Sequence, residues 1–262
     1  MTGFFRTVKT LLCIYYAYMM EYRAELLLWA LSGSLPFILM GIWMQASEQG
    51  QFSLQAVEFA RYFLAAFIVR QLTVVWVIWE FEKEVVNGTL SPKLLQPLDP
   101  AWHHVTSHLA ERVARTPFIL GLILLFFALY PESFWLPSFA NLCLCLAVAI
   151  LAFSLRFVIQ HTFALCAFWI ERASAIEQFW FLPYLFLSGM VAPLDVFPEA
   201  VRAWVIWTPF PYLIYFPAAL LLGWSVNILQ GISVMSAWGL GFWFLNRWLW
   251  RRGLKRYSGM GA

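Results

Sequence analysis

FANLCLCLAVAILAFSLRFVIQHTFALCAFWI, residues Phe139 to Ile170, is the run on which the fold turns. At 1.5 Å per residue, roughly 30 residues form a helix of about 45 Å, against a hydrocarbon core of about 30 Å. The run therefore reads either as one long helix projecting beyond a bilayer or as two short spans. Charge at the chain ends decides between them. Arg6, Lys9 and Arg23 lie at one end; Arg247, Arg251, Arg252, Lys255 and Arg256 lie at the other. Under the positive-inside rule both ends are cytoplasmic, so the span count is even. Counting the run once gives six spans, counting it twice gives seven, and one long helix is the reading that fits.

Composition supports the membrane setting. The chain has 62% hydrophobic and 12% charged residues and a mean hydropathy of +0.73. A soluble domain carries roughly a quarter charged residues. The expectation is an all-α polytopic membrane protein of one domain, residues 1–262, with six transmembrane helices. A transmembrane barrel would show short alternating segments instead. The four cysteines, Cys13, Cys143, Cys145 and Cys166, fall in apolar helical stretches and read as small buried hydrophobes.

Residues 2–23 place Phe4, Val8, Leu11, Tyr15, Met19 and Tyr22 at helical spacing beside Arg6 and Lys9, the pattern of an interfacial helix. Glu21, Arg23 and Glu25 follow with no cleavage site, so the segment is not read as a secretory signal. Spans are placed at 26–44, 62–79, 113–130, 139–170, 179–192 and 226–246. Between the last two, Pro193, Pro198, Pro209, Pro211 and Pro217 break an apolar stretch. Broken helices at membrane depth need shielding by protein or a cavity, so residues 193–223 read as re-entrant outer helices.

The longest polar interruption is residues 80–100, EFEKEVVNGTLSPKLLQPLDP. Ser91-Pro92 signals a helix start, Pro97 ends it after about one turn, and Asp99-Pro100 opens a second helix. The expected product is an exposed helical knuckle with a leucine face.

Candidate chemistry is sparse. No phosphate-binding G-x-x-x-x-G-K-[ST] loop occurs, so the chain does not hydrolyse nucleotide alone. His104, His108 and Glu111 share a helix face at metal-ligand spacing, but a polar helix end is the plainer reading and no metal is assigned. The Asn87-Gly88-Thr89 triplet reads as a turn. Arg70 and Arg156 fall at membrane depth, where an arginine needs a partner or a wet cavity. With Phe181, Tyr184 and Phe186 they outline a candidate substrate path, while a structural pairing of either arginine stays open. An intramembrane enzyme would need a base and an orienting acid, and only His161 offers the former. A membrane assembly scaffold is another alternative, and a secondary transporter would show matching interrupted halves, which are lacking.

Three features together resemble one family. They are the amphipathic N-terminal helix, the pattern E-x5-G-x-L-x3-LL-x-PL at Glu82, Gly88, Leu90, Leu94, Leu95, Pro97 and Leu98, and the segment LSGMVAPLDVFPEAVRAWVIWTPFPY. The chain resembles the permease subunit of a type-2 ABC exporter, of the bacterial group without a fused ATPase domain. The resemblance implies that the knuckle is a coupling helix seated in a groove of a cytosolic ABC ATPase. There a buried leucine would contribute about 1.5–3 kcal/mol. It implies an outer gate containing Gly189, Pro193, Phe197, Pro198 and Pro209. It further implies two ATPase copies that bind ATP and Mg, a second permease chain (the same or a sister), and the bacterial inner membrane with both termini cytoplasmic. The expected cargo is hydrophobic or amphipathic and moves outward. No cofactor is expected on this chain, and no nucleic acid among its partners.

Overall fold

A computed structural model describes residues 2–50, 52 and 54–257, with the side chains of residues 2–4 and 23 left out of the description. Phe4 and Arg23, used above, are among those side chains. The described residues are helical throughout, with short turns and no strand. Five stretches are long and apolar enough to cross a membrane: Ala24–Glu48, Ala56–Val86, Ala101–Leu129, Phe139–Phe168 and Ile228–Leu254.

The first helix, α1 (Thr2–Glu21), lays Val8, Leu11, Leu12, Tyr15 and Met19 as a half-buried stripe against α7 (Ala101–Leu129), the face expected from its spacing. The first expected span is not continuous. It is split into α2 (Arg23–Ser32) and α3 (Leu35–Glu48) at Gly33-Ser34. Pro36 opens the second piece, where a missing N–H costs nothing. A side chain at position 33 would also meet Gln71 Nε2 at 2.5 Å and Arg70 Nη1 at 2.8 Å.

The second span is likewise two helices. α4 (Ala56–Thr73) starts six residues earlier than expected because Gln55 and Glu58 form a capping box. It stops at Val74, and α5 (Val77–Val86) resumes after three unwound residues. The short α6 (Leu90–Leu94) follows, then α7, which begins twelve residues before the expected third span. Asp99 Oδ1 accepts the Ala101 N–H at 3.0 Å, as the Asp-Pro start signal implies.

The Phe139–Ile170 run is one helix, α8 (Phe139–Ala164), tightening into a 3-10 turn at Leu165–Phe168. The expected fifth span is the same length but starts five residues earlier. α9 covers Ser174–Leu187, and residues 188–193 leave the helix. At 14 residues it is about 21 Å long, below the length of the other spans. The proline-rich stretch forms α10 (Glu199–Val205) and α11 (Tyr215–Leu222), separated by a 3-10 turn at Phe210–Leu213. α12 (Ile228–Leu254) completes the chain.

α8 and α12 run parallel. Gly223 lies against Asn141, Gly239 against Leu155, and Gly253 against the Phe168 ring. Two parallel neighbours require the chain between them to return from the Phe168 end of the bundle to the Asn141 end. α9 starts that return at Ser174, beside Glu82, and Gly189 brings it to Tyr62 near the start of α4. α11 then packs between α4 and α8, with the Leu213 carbonyl on Thr73 Oγ1 and Trp224 stacked on Tyr62. The main core is the buried α4 face, from Phe59 to Val69, closed by Ile159, Tyr184, Leu213 and Phe216.

Gly189 holds φ +89°, and an added Cβ would run into the Tyr62 hydroxyl and Tyr215. A left-handed backbone alone costs a side chain about 1–2 kcal/mol. We expect Gly189→Ala to lower the thermal midpoint in detergent. Gly41→Ala, in α3 with nothing within 4 Å, should be neutral or stabilising, since alanine is the better helix former by about 1 kcal/mol. Equal effects of the two substitutions would contradict this packing.

Candidate functional site

The knuckle is held by its own chain before any partner meets it. Gly88 takes φ +72° and turns α5 into α6, which explains the glycine in the motif. α6 begins at Leu90, one residue before the expected cap Ser91, and Thr89 makes no side-chain capping bond. Leu90 is fully buried in a cluster with Ile78, Phe81, Val85, Leu165 and Phe168, and Leu94 packs against its edge. Leu98 is half-buried. The leucine face expected to point outward is thus mostly turned inward. Leu95 alone is presented, 88% exposed, between exposed Gln96, Pro97 and Pro92. The reason is geometric: α6 is so short that its apolar side serves the bundle, and the turn after it carries Leu95 outward.

Polar contacts fix the same unit. Lys93 Nζ donates to Glu84 Oε1 at 2.5 Å, and His104 stands between Glu80 (3.2 Å) and Glu84 (3.4 Å). His103 donates from Nε2 to Gln96 Oε1 at 3.0 Å and accepts from the Tyr15 hydroxyl at Nδ1, 3.1 Å away. Burial, together with nearby Glu84 and Glu80, raises the Tyr15 phenol above its ordinary range, which keeps that donor protonated. Arg247 of α12 meets Asp99 at 2.9 Å. Glu82, first residue of the motif, accepts the Ser174 N–H at 2.5 Å and the Ser174 hydroxyl at 3.1 Å. A carboxylate at a helix N-terminus satisfies an orphan donor and complements the helix dipole. Glu82 thereby ties α5 to α9. A cavity of about 870 Å³ opens beside it, lined in part by Lys83, Val86, Phe168, Arg172 and Arg256.

His108 and Glu111 have other uses than a metal. His108 Nδ1 donates to the His104 carbonyl at 2.8 Å, so Nε2 is free to accept the Trp76 N–H at 2.7 Å. Glu111 pairs with Arg115 one turn on. Arg112 donates to the carbonyls of Leu72 (2.6 Å), Val74 (2.5 Å) and His108 (2.6 Å), with its guanidinium 4.1 Å from the Phe153 ring centroid. Together these bonds satisfy the backbone exposed where α4 unwinds. The sequence reading missed both arginines, Arg112 just before the expected third span and Arg115 within its first turn.

Of the expected substrate path, three residues meet. Arg156 Nη1 donates to the Tyr184 hydroxyl at 2.7 Å and stacks 4.4 Å from its ring, and Arg70 reaches the same phenol. Phe186 does not join them. It is two residues beyond Tyr184, hence on the opposite helix face, and is exposed, as is Phe181. Glu177, unforeseen as a buried acid, accepts from Gln160 at 2.8 Å and leaves its second oxygen without a partner among the described residues. His161 takes its orientation from Asn246, at 2.9 Å, rather than from an acid.

Of the expected gate residues, Gly189 lies beside Tyr62 toward the other end of the bundle, and Pro209 leads into the 3-10 turn that reaches Thr73. Gly189 and Pro193 are buried, Phe197 is half-buried, Pro198 is exposed before α10, and Pro209 is buried before the 3-10 turn. The Tyr62 hydroxyl donates to the Gly189 carbonyl at 2.6 Å, Trp43 Nε1 to the Val191 carbonyl at 2.7 Å, and Tyr215 to Asp195 at 2.9 Å.

No curated protein matches the chain in a sequence search. A family model described as ABC-2 family transporter protein matches residues 26–261, and so takes in the knuckle, the arginines and the proline-rich segment. With nearly the whole chain matched, this protein belongs to the ABC-2 transporter family, as a membrane permease subunit.

Proposed function

We propose that this permease moves a hydrophobic or amphipathic substrate out of the cytoplasm, driven by a separate ABC ATPase that seats on the α6 knuckle. Family membership implies an ABC ATPase partner and a membrane setting. The observation that carries the docking assignment is Leu95, which is 88% exposed while Leu90 is buried and Leu94 and Leu98 are half-buried. A large apolar side chain held outward on a braced support suits a groove, and the adjacent cavity with Lys83, Arg172 and Arg256 supplies a polar rim. ATP and Mg would be bound by that partner, in two copies, under two permease chains.

Charge favours the knuckle end as the cytoplasmic one. Lys83, Lys93, Arg172, Arg251, Arg252, Lys255 and Arg256 gather there. The setting would be a bacterial inner membrane. On this orientation α9 and the residues after it make a fifth crossing and α12 a sixth. The α10–α11 segment then reads as a re-entrant pair, because its 3-10 turn reaches Thr73 while its ends stay near Tyr62. Export through an outer gate built from this segment follows the same reading.

The docking assignment is tested by co-purifying the ATPase with the tagged permease. Leu95→Asp should abolish retention of the ATPase and ATP-dependent transport, leaving the thermal midpoint of the permease unchanged. Leu90→Asp buries a charge and should cost several kcal/mol in the permease itself. Retention of the ATPase and of transport by Leu95→Asp would overturn the assignment. A second substitution addresses transmission. Glu82→Ala should cost about 0.5–2 kcal/mol through loss of the α9 cap and reduce transport while the ATPase stays bound. Unaltered transport per bound ATPase would show that the α5–α9 tie plays no part in coupling.

A further inference from the structure

Four arginines, Arg70, Arg112, Arg115 and Arg156, come from α4, α7 and α8 to one interior region. Arg70 and Arg156, Arg112 and Arg156, and Arg70 and Arg115 are electrostatic neighbours. Two of the four are accounted for. Arg112 is spent on three backbone carbonyls, and Arg115 on Glu111 and the Gln71 side-chain carbonyl. The other two are different: Arg70 and Arg156 converge on the neutral phenol of Tyr184, and no ion pair among the described residues includes either. The nearest buried acid, Glu177, is held by Gln160. Arg156 is 7% and Tyr184 2% exposed, whereas Arg70 stays half-buried beneath the α2–α3 break at Gly33.

A guanidinium at membrane depth costs about 2.5–3.5 kcal/mol on insertion scales and is normally paired there or set in a wet cavity. Two such groups share one uncharged acceptor, and the acid that Arg156 feels, Glu177, makes no ion pair with it and already accepts from Gln160. The forked geometry of arginine matches the oxygens of phosphate, sulfate and carboxylate. We propose that Arg70 and Arg156, bridged by Tyr184, receive the anionic head of an amphipathic substrate, reached past the α2–α3 break. This deepens the transport reading above and rests on it for the word substrate, but the binding itself needs no ATPase.

The test therefore uses the purified full-length permease alone, in dodecyl maltoside, with dodecyl phosphate as probe. Saturable binding and a raised thermal midpoint are expected. Charge-assisted hydrogen bonds are worth about 1.5–3 kcal/mol, so Arg156→Gln and Arg70→Gln should each weaken binding about tenfold or more. Arg156→Lys keeps the charge but not the fork, so it should bind more tightly than Arg156→Gln and less tightly than the native chain, which separates binding from folding should the glutamine variants be unstable. Arg112→Gln should lower the thermal midpoint with a smaller effect on affinity. Competition by phosphatidate would assign the head group to a membrane lipid; its absence would assign it to a smaller amphiphile, and the site stands in both cases. Absence of saturable binding, equal binding by the glutamine variants, or inorganic phosphate binding as tightly as dodecyl phosphate would overturn the proposal. Loss of ATPase co-purification with intact dodecyl phosphate binding would instead count against the exporter reading alone.

Discussion

The structure depends on three unwound residues, Val74 to Trp76, inside an otherwise continuous second span. Backbone groups in such a place have no water to turn to and must be satisfied by protein. α7 does this with two side chains one turn apart. Arg112 takes the carbonyls of Leu72 and Val74, and His108 takes the N–H of Trp76. The histidine can accept only because its other nitrogen donates to the His104 carbonyl. The break is thus a joint made by two helices, and it sets the angle at which α5 and the knuckle leave the bundle.

Beyond the joint, polar contacts link the elements around the apolar cluster that buries Leu90. Glu84 and Lys93 hold α6 to α5, His104 brings in α7, Glu82 brings in α9, and Arg247 with Asp99 brings in α12. A push on Leu95 therefore reaches four helices through short contacts. α9 is the most consequential of these, because it carries Tyr184 to Arg156 and then leads to Gly189 and the proline-rich segment. One helix of 14 residues touches the knuckle, the arginines and the segment at the far end.

Much of this was legible in the sequence and some of it was not. The Phe139–Ile170 run read as a single helix because basic residues at both chain ends call for an even span count, and the Asp99-Pro100 start is where α7 begins. The α1 stripe followed from its spacing. The break at Val74–Trp76 was hidden, because its residues fit an apolar helix as well as their neighbours do, whereas Gly33-Ser34 before Pro36 carried a break signal that the span placement passed over. What packs against both breaks lies elsewhere in the chain, in Arg70, Gln71, His108 and Arg112. Leu90 and Leu94 were misjudged for a related reason: a leucine pattern shows that a face is apolar, not whether the chain itself covers it. Glu177 sat just before the expected fifth span, and only the earlier start of α9 buries it.

The most direct measurement concerns sidedness. A single cysteine at Leu95, in a chain with Cys13, Cys143, Cys145 and Cys166 replaced, is offered a membrane-impermeant maleimide, with a cysteine at exposed Glu199 as its counterpart. The account predicts that position 95 reacts only in inside-out vesicles and position 199 only in right-side-out ones. Labelling of position 95 from the outer face would contradict it.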